Sequence, residues 1–103
     1  MTGLIDGFDW DEGNTAKCQK HGLSVAEIEA VFQHAHRLGP DVVHSAAEAR
    51  FLAIGNGKGP RPIFIVLTIR EIDGERLIRP ISARYMHKKE IGSYEEDTSN
   101  ADH

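Results

Sequence analysis

Arg50, Arg70 and Arg84 flank three apolar stretches in the second half of the chain, and Lys20-His21 stand side by side in the first half. These residue types suit metal-free cleavage of an RNA phosphodiester. In that reaction the 2′-hydroxyl loses its proton, the phosphorane's added negative charge is stabilised, and the departing 5′-oxygen is protonated. Histidine titrates near neutrality and can take either proton step, whereas guanidinium forks hold phosphate through paired hydrogen bonds. His87, Glu90 and Tyr94 are further candidates for chemistry, and Arg79 and Lys88 add charge to a phosphate-binding surface. A plainer reading stands beside each. The arginines can be surface residues paired with Glu48, Glu71 or Glu75, His21 can satisfy the carbonyls and dipole of a helix end, and Tyr94 can be an amphipathic core residue.

The elements that would position these groups follow from pattern. Gly7-Phe8-Asp9-Trp10 reads as a short strand, after which Asp11 caps a helix running to about Lys20 and stopped by Gly22. Ser24 and Glu27 form a capping box, and Val25, Ile28, Val31, Phe32 and Ala35 give a second helix one apolar face up to Gly39-Pro40. Arg50 to Ile54, Ile63 to Arg70 and Arg76 to Arg84 read as antiparallel strands joined by a Gly-rich turn and an Asp73-Gly74 turn. The apolar run Ile63-Phe64-Ile65-Val66-Leu67 suits a central strand covered on both faces. Pro80 places its strand at an edge or at a bulge. A last helix spans about Met86 to Glu95, with His87, Ile91 and Tyr94 on one face. The class is α+β: a compact antiparallel meander with two N-terminal helices and one C-terminal helix packed on it. In such a meander Arg50 and Arg70 share one edge, while Arg84 falls at the other end unless strand tilt or a bulge at Pro80 carries it across. The nuclease reading expects the guanidinium groups to converge on one phosphate.

Composition bounds the rest. The chain's 103 residues suit one domain, taken as 1–96 with a polar acidic tail at 97–103 that is expected to be disordered. Its net charge is −4, yet from Arg50 to Glu90 nine basic residues stand against four acidic ones. Glu95, Glu96, Asp97 and Asp102 equal the whole acidic excess. A basic second half with an acidic end is compatible with a local phosphate-binding surface, and equally with a solvated face. A single cysteine, Cys18, suits a reducing compartment, and the lack of a signal peptide or membrane-length apolar run points to the cytoplasm and to no membrane partner. His34-x-His36 and Asp41-x-x-His44 contain ligand types but match no closed metal site, so no metal and no cofactor is expected. Gly55 to Gly59 lies between two strands and lacks the following helix that cradles a nucleotide phosphate.

Taken in order, Phe8-Asp9-Trp10-Asp11, Lys20-His21-Gly22, Arg50-Phe51-Leu52-Ala53-Ile54-Gly55, Thr68-Ile69-Arg70, Ile81-Ser82-Ala83-Arg84, Glu90 and Tyr94 resemble the BrnT family of toxins. The resemblance covers Phe8 to Tyr94. It implies a RelE-like fold, an endoribonuclease activity that inhibits translation, and neutralisation by a BrnA-type antitoxin through which DNA is contacted only indirectly. It also implies Lys20, His21, Arg50, Arg70, Arg84 and Tyr94 as active residues, with Arg79, His87, Lys88 and Glu90 on the RNA. The chain departs from the family pattern at Lys17, Pro80 and Tyr85-Met86-His87, which leaves the assignment of acid and base open. Two rivals stand beside this reading: a module that binds RNA or protein without cleaving, and a degenerate homologue that keeps only antitoxin binding.

Overall fold

The computed structural model describes residues 5–34, 36–41 and 48–92. Its element order is β1 (Gly7–Phe8), α1 (Glu12–Gln19), α2 (Val25–Val31), β2 (His36–Pro40), β3 (Phe51–Asn56), β4 (Pro62–Ile72) and β5 (Glu75–Tyr85), followed by a short helical turn over residues 88–92. The strands form one sheet in the order β1-β5-β4-β3-β2. Pairing is antiparallel from β2 through β5, and β1 runs parallel to β5, with Gly7 beside Leu77 and Phe8 beside Ile78. The fold is therefore α+β with a mixed sheet, where the sequence suggests a purely antiparallel one. β1 and β5 are joined through every element between them rather than by a tight turn, and a connection that long permits parallel pairing.

Local chemistry explains the elements. Asp11 caps α1 by accepting from the Asn14 backbone N–H at 3.0 Å, and the Asn14 side chain accepts the Asp11 N–H at 2.7 Å. Gly22 takes a φ of +90° just past the helix, a left-handed conformation that glycine adopts without a Cβ clash. Ser24 and Glu27 close the expected capping box on α2. Asp73 and Gly74 have φ of +52° and +81°. Both values suit a two-residue hairpin loop matched to strand twist, so β4 and β5 run to Ile72 and from Glu75, longer than the pattern indicates.

One expectation is corrected here. The second helix does not continue toward Gly39-Pro40: it ends at Val31, capped by Phe32, and His36–Pro40 form β2, paired over five residues with β3. Ala35 lies outside the described residues. Among the described residues the expected C-terminal helix is seen over residues 88–92; Tyr94, Glu95 and the tail at 97–103 also lie outside the described residues. Pro80 produces a bulge, since the register slips between Val66 and Leu67, which face Ser82 and Pro80 respectively.

The core lies on one face of the sheet. Cys18, Leu23, Ile28 and Val31 from the helical half pack with Ala53, Ile63, Ile65, Leu67, Ile78 and Ala83 in a single cluster. Each fully buried aliphatic side chain contributes about 1.5–3 kcal/mol to folding. Burial also pushes the Cys18 thiol up to about 11, so it behaves as a small apolar group. The register sends Leu52, Ile54, Phe64, Val66, Ser82 and Arg84 to the opposite face, where they are half-buried. Among the described residues α1 and α2 both pack on the first face, so β4 is central but its second face is not roofed by either helix. Among the described residues the cover on that second face comes from the turn carrying Glu90, which reaches Arg84.

Gly57 shows how closely α2 is seated. A Cβ there would lie 2.6 Å from the Glu27 carbonyl oxygen, a backbone atom that cannot swing aside. Gly57→Ala is expected to lower stability by about 1–3 kcal/mol, measured as a drop in urea midpoint with an unchanged slope.

Candidate active site

The structure separates the three arginines. Arg70 lies on β4 opposite Leu77, and Arg84 lies on β5 opposite Phe64. Six residues of β4 separate those positions, about 20 Å of extended chain. The Pro80 bulge does not carry Arg84 across. Arg50 immediately precedes Phe51, which faces Leu67, so Arg50 stands at the Arg70 end as expected. That end is tied down by Thr68, whose hydroxyl donates to the Ala49 carbonyl at 2.9 Å, and by the Asp41 N–H donating to the Arg50 carbonyl at 2.8 Å. The half-exposed Arg70 reaches Glu48 at 3.6 Å, so the alternative of pairing with Glu48 is realised for this arginine.

Arg84 is placed differently. Its guanidinium carbon lies 4.8 Å from the centre of the Phe64 ring. Its two terminal nitrogens donate to the two oxygens of Glu90 at 2.8 and 3.0 Å. Glu90 Oε1 also accepts the His87 backbone N–H at 2.9 Å. The contact with Arg84, reinforced by that N–H, holds the Glu90 carboxyl down at about 2 and pushes the Arg84 guanidinium pKa up. The fork therefore presents its bidentate edge to an oxyanion pair on the sheet face opposite α1 and α2. His87 and Lys88 are exposed beside it on the last turn.

Arg79 belongs to a structural clamp. It reaches Asp9 at 3.3 Å and Asp11 at 2.8 Å, joining β5 to the start of α1. The clamp raises the Arg79 pKa, chiefly through the Asp11 hydrogen bond, and Asp11 is lowered by the Asn14 N–H first and Arg79 second. A cleft of about 400 Å³ beside it is lined by Gly13, Asn14, Lys17, Arg79 and Ile81; Arg50, Arg70 and Arg84 do not contribute. Lys20 and His21 are exposed at the end of α1. Among the described residues no hydrogen bond or ion pair joins them to Arg50, Arg70 or Arg84. Among the same residues no group of three or more His, Cys, Asp or Glu is placed to hold a metal ion.

Arg37 is a residue that the sequence reading passed over. It lies on β2 opposite Ile54, which faces Phe64, which faces Arg84. Those four residues form one row across the sheet, with an arginine at each end and apolar side chains between. The only signal for it was the short run before Gly39-Pro40, and the helical period of the preceding residues masked it.

Acid sensitivity follows from the held carboxyls. Asp11, Glu27 and Glu90 are all depressed in the folded state; for Glu27 the Tyr85 hydroxyl, donating at 2.8 Å, is the main cause. A folded value below the unfolded one gives stability that is fully present above the ordinary 4.5 of Glu90 and is lost as pH falls toward about 2. Denaturant midpoints are expected to decline across that acid window. Arg84→Gln should flatten the part due to Glu90, which carbon-13 titration of its carboxyl would report.

The chain is a small α+β domain in which Arg37 and Arg84 end one row across the sheet, and the comparison with known families gives it a class. Residues 10–90 match the family model described as the ribonuclease toxin, BrnT, of type II toxin–antitoxin systems. The chain belongs to the BrnT family. No curated protein matches it. Membership supplies an RNA substrate and an antitoxin protein partner as the system's other components. No helix among the described residues is long and apolar enough to cross a membrane.

Proposed function

We propose that the chain is an endoribonuclease whose RNA lies across the sheet face opposite α1 and α2, with Arg84 on the scissile phosphate. The supporting observation is the Arg84 fork, backed by Phe64 and already engaged in a two-point contact with a carboxylate of phosphate-like geometry. The spacing of the arginines favours a track over a single focus. Arg84 and Arg37 end one row, while Arg50 and Arg70 stand about 20 Å along the strands, where they would meet flanking phosphates. The apolar row between them offers Phe64 as a surface for a base.

In the reaction the 2′-oxygen attacks the adjacent phosphorus, the bond from phosphorus to the 5′-oxygen breaks, and a cyclic phosphate remains on the upstream fragment. Arg84 stabilises the added charge of the phosphorane. A proton passes from the 2′-hydroxyl to a base and another reaches the 5′-oxygen; His87, beside Arg84, and Tyr94 are the groups proposed for these steps, whereas Lys20 and His21 stand at the end of α1, which packs on the other face of the sheet. RNA is the substrate because the nucleophile is its own 2′-hydroxyl, which DNA lacks. The arginines supply the charge neutralisation, so the step as written needs no metal. A RelE-like fold and a BrnA-type antitoxin that covers the basic face complete the reading.

Incubation of the purified protein with end-labelled RNA tests it: new fragments ending in a cyclic phosphate are expected, and RNA that is bound but intact at high protein concentration refutes it. Arg37→Ala is expected to weaken RNA binding by about twofold to tenfold and to flatten its salt dependence by roughly one phosphate contact. The carboxylate partners of Arg70 and Arg84 favour one rival, a homologue that binds its antitoxin without cutting. That rival predicts no new RNA ends under any condition.

A further inference from the structure

Glu90 occupies an edge of Arg84 by which a phosphate could be held in two hydrogen bonds. Its two oxygens take the two terminal guanidinium nitrogens at 2.8 and 3.0 Å, and the Phe64 ring backs the guanidinium plane. Both side chains remain about a third exposed, 32% for Arg84 and 37% for Glu90, so an incoming anion can reach the contact. Glu90 also holds the last turn: its Oε1 accepts the His87 N–H, which opens the helical residues 88–92, and the Ile91 N–H donating to the His87 carbonyl at 2.9 Å closes them.

We infer that Glu90 is an internal stand-in for the RNA phosphate, which must displace its carboxylate from Arg84 and thereby releases the cap on residues 88–92. The inference rests on the assignment of Arg84 as a phosphate ligand. A phosphate seated on the edge formed by the two terminal nitrogens and the Glu90 contact on that edge exclude each other. Protonation does not relieve the competition near neutral pH, because Glu90 is held at about 2. The empty protein thus keeps Arg84 oriented and neutralised, and RNA contact frees His87 and Lys88 to move with their turn.

The test uses the full chain and a short RNA whose 2′-hydroxyls are methylated, so that it binds without being cut. By fluorescence anisotropy Glu90→Gln and Glu90→Ala are each expected to bind about twofold to fivefold more tightly than wild type, the range of an exposed ion pair. The gain should vanish when Arg84→Gln is also present. In wild-type protein, saturating RNA should quicken amide exchange at Ile91 and shift the Arg84 side-chain resonances, and inorganic phosphate should shift the latter in the same direction. A purely structural Glu90 would leave affinity unchanged or lower it in both variants, and that result overturns the inference while leaving Arg84 on the RNA. If neither wild type nor Glu90→Gln binds RNA, the nuclease reading itself falls and takes the inference with it.

Discussion

Arg84→Ala is expected to lower RNA cleavage by about 10²- to 10³-fold, the usual loss when one preorganised donor to a developing oxyanion is removed. Growth arrest on expression should disappear with it, and thermal stability should change little, because an exposed ion pair contributes only about 0–1 kcal/mol. Arg84→Lys keeps the charge but not the fork or the stack on Phe64, so it should recover only part of the loss. Arg70→Ala supplies the contrast. From sequence the two arginines carry equal weight, but Arg70 sits at the far end of β4 beside Glu48, where its removal should cost no more than about fivefold in cleavage. Equal abolition by both substitutions would place the scissile phosphate elsewhere, and full activity in Arg84→Ala would remove this site from the chemistry.

Asn14→Ala is expected to produce the largest loss of stability, about 2–3 kcal/mol, because buried polar groups would lose their partners. The Asn14 side chain is buried and donates to the Asp9 carbonyl at 3.0 Å and to the Pro80 carbonyl at 2.8 Å, while accepting the Asp11 N–H. It joins the end of β1, the start of α1 and the bulge in β5, the same junction that Arg79 clamps through Asp9 and Asp11. For a domain of this size the loss corresponds to a fall in Tm of roughly 10–20 °C. Asn14→Asp should be comparably damaging, since a carboxylate cannot donate to the two carbonyls and adds charge beside Asp9 and Asp11. Toxicity should then fall with the amount of folded protein, whereas Arg84→Ala should lose activity at an unchanged Tm. A thermal melt of each variant separates the two causes. An Asn14→Ala protein as stable as wild type would show that the junction is held by Arg79 and backbone pairing alone.

Local order was legible wherever a rule acts over a few neighbouring residues. The Asp11 cap, the Ser24 and Glu27 box, the left-handed Gly22, the Asp73-Gly74 turn and the apolar centre of β4 each follow from spacing in the chain, and the structure contains all of them. The bulge at Pro80 follows as well, since proline cannot donate to a ladder. The ordered set of motifs also identified the family. What depends on partners distant in the chain was not legible. His36–Pro40 extend because β3 offers five residues of pairing, an energy absent from their own sequence, and β1 finds its partner in β5, the last strand of the chain, across all the other elements. The placement of the arginines is of the same kind: strand register, a long-range property, puts Arg84 on Phe64 and Arg70 at the opposite end, and brings in Arg37. Residue type selected the chemistry, because only particular side chains hold phosphate or move protons. Register selected which of them share a surface, because hydrogen bonding between strands is decided by the whole sheet.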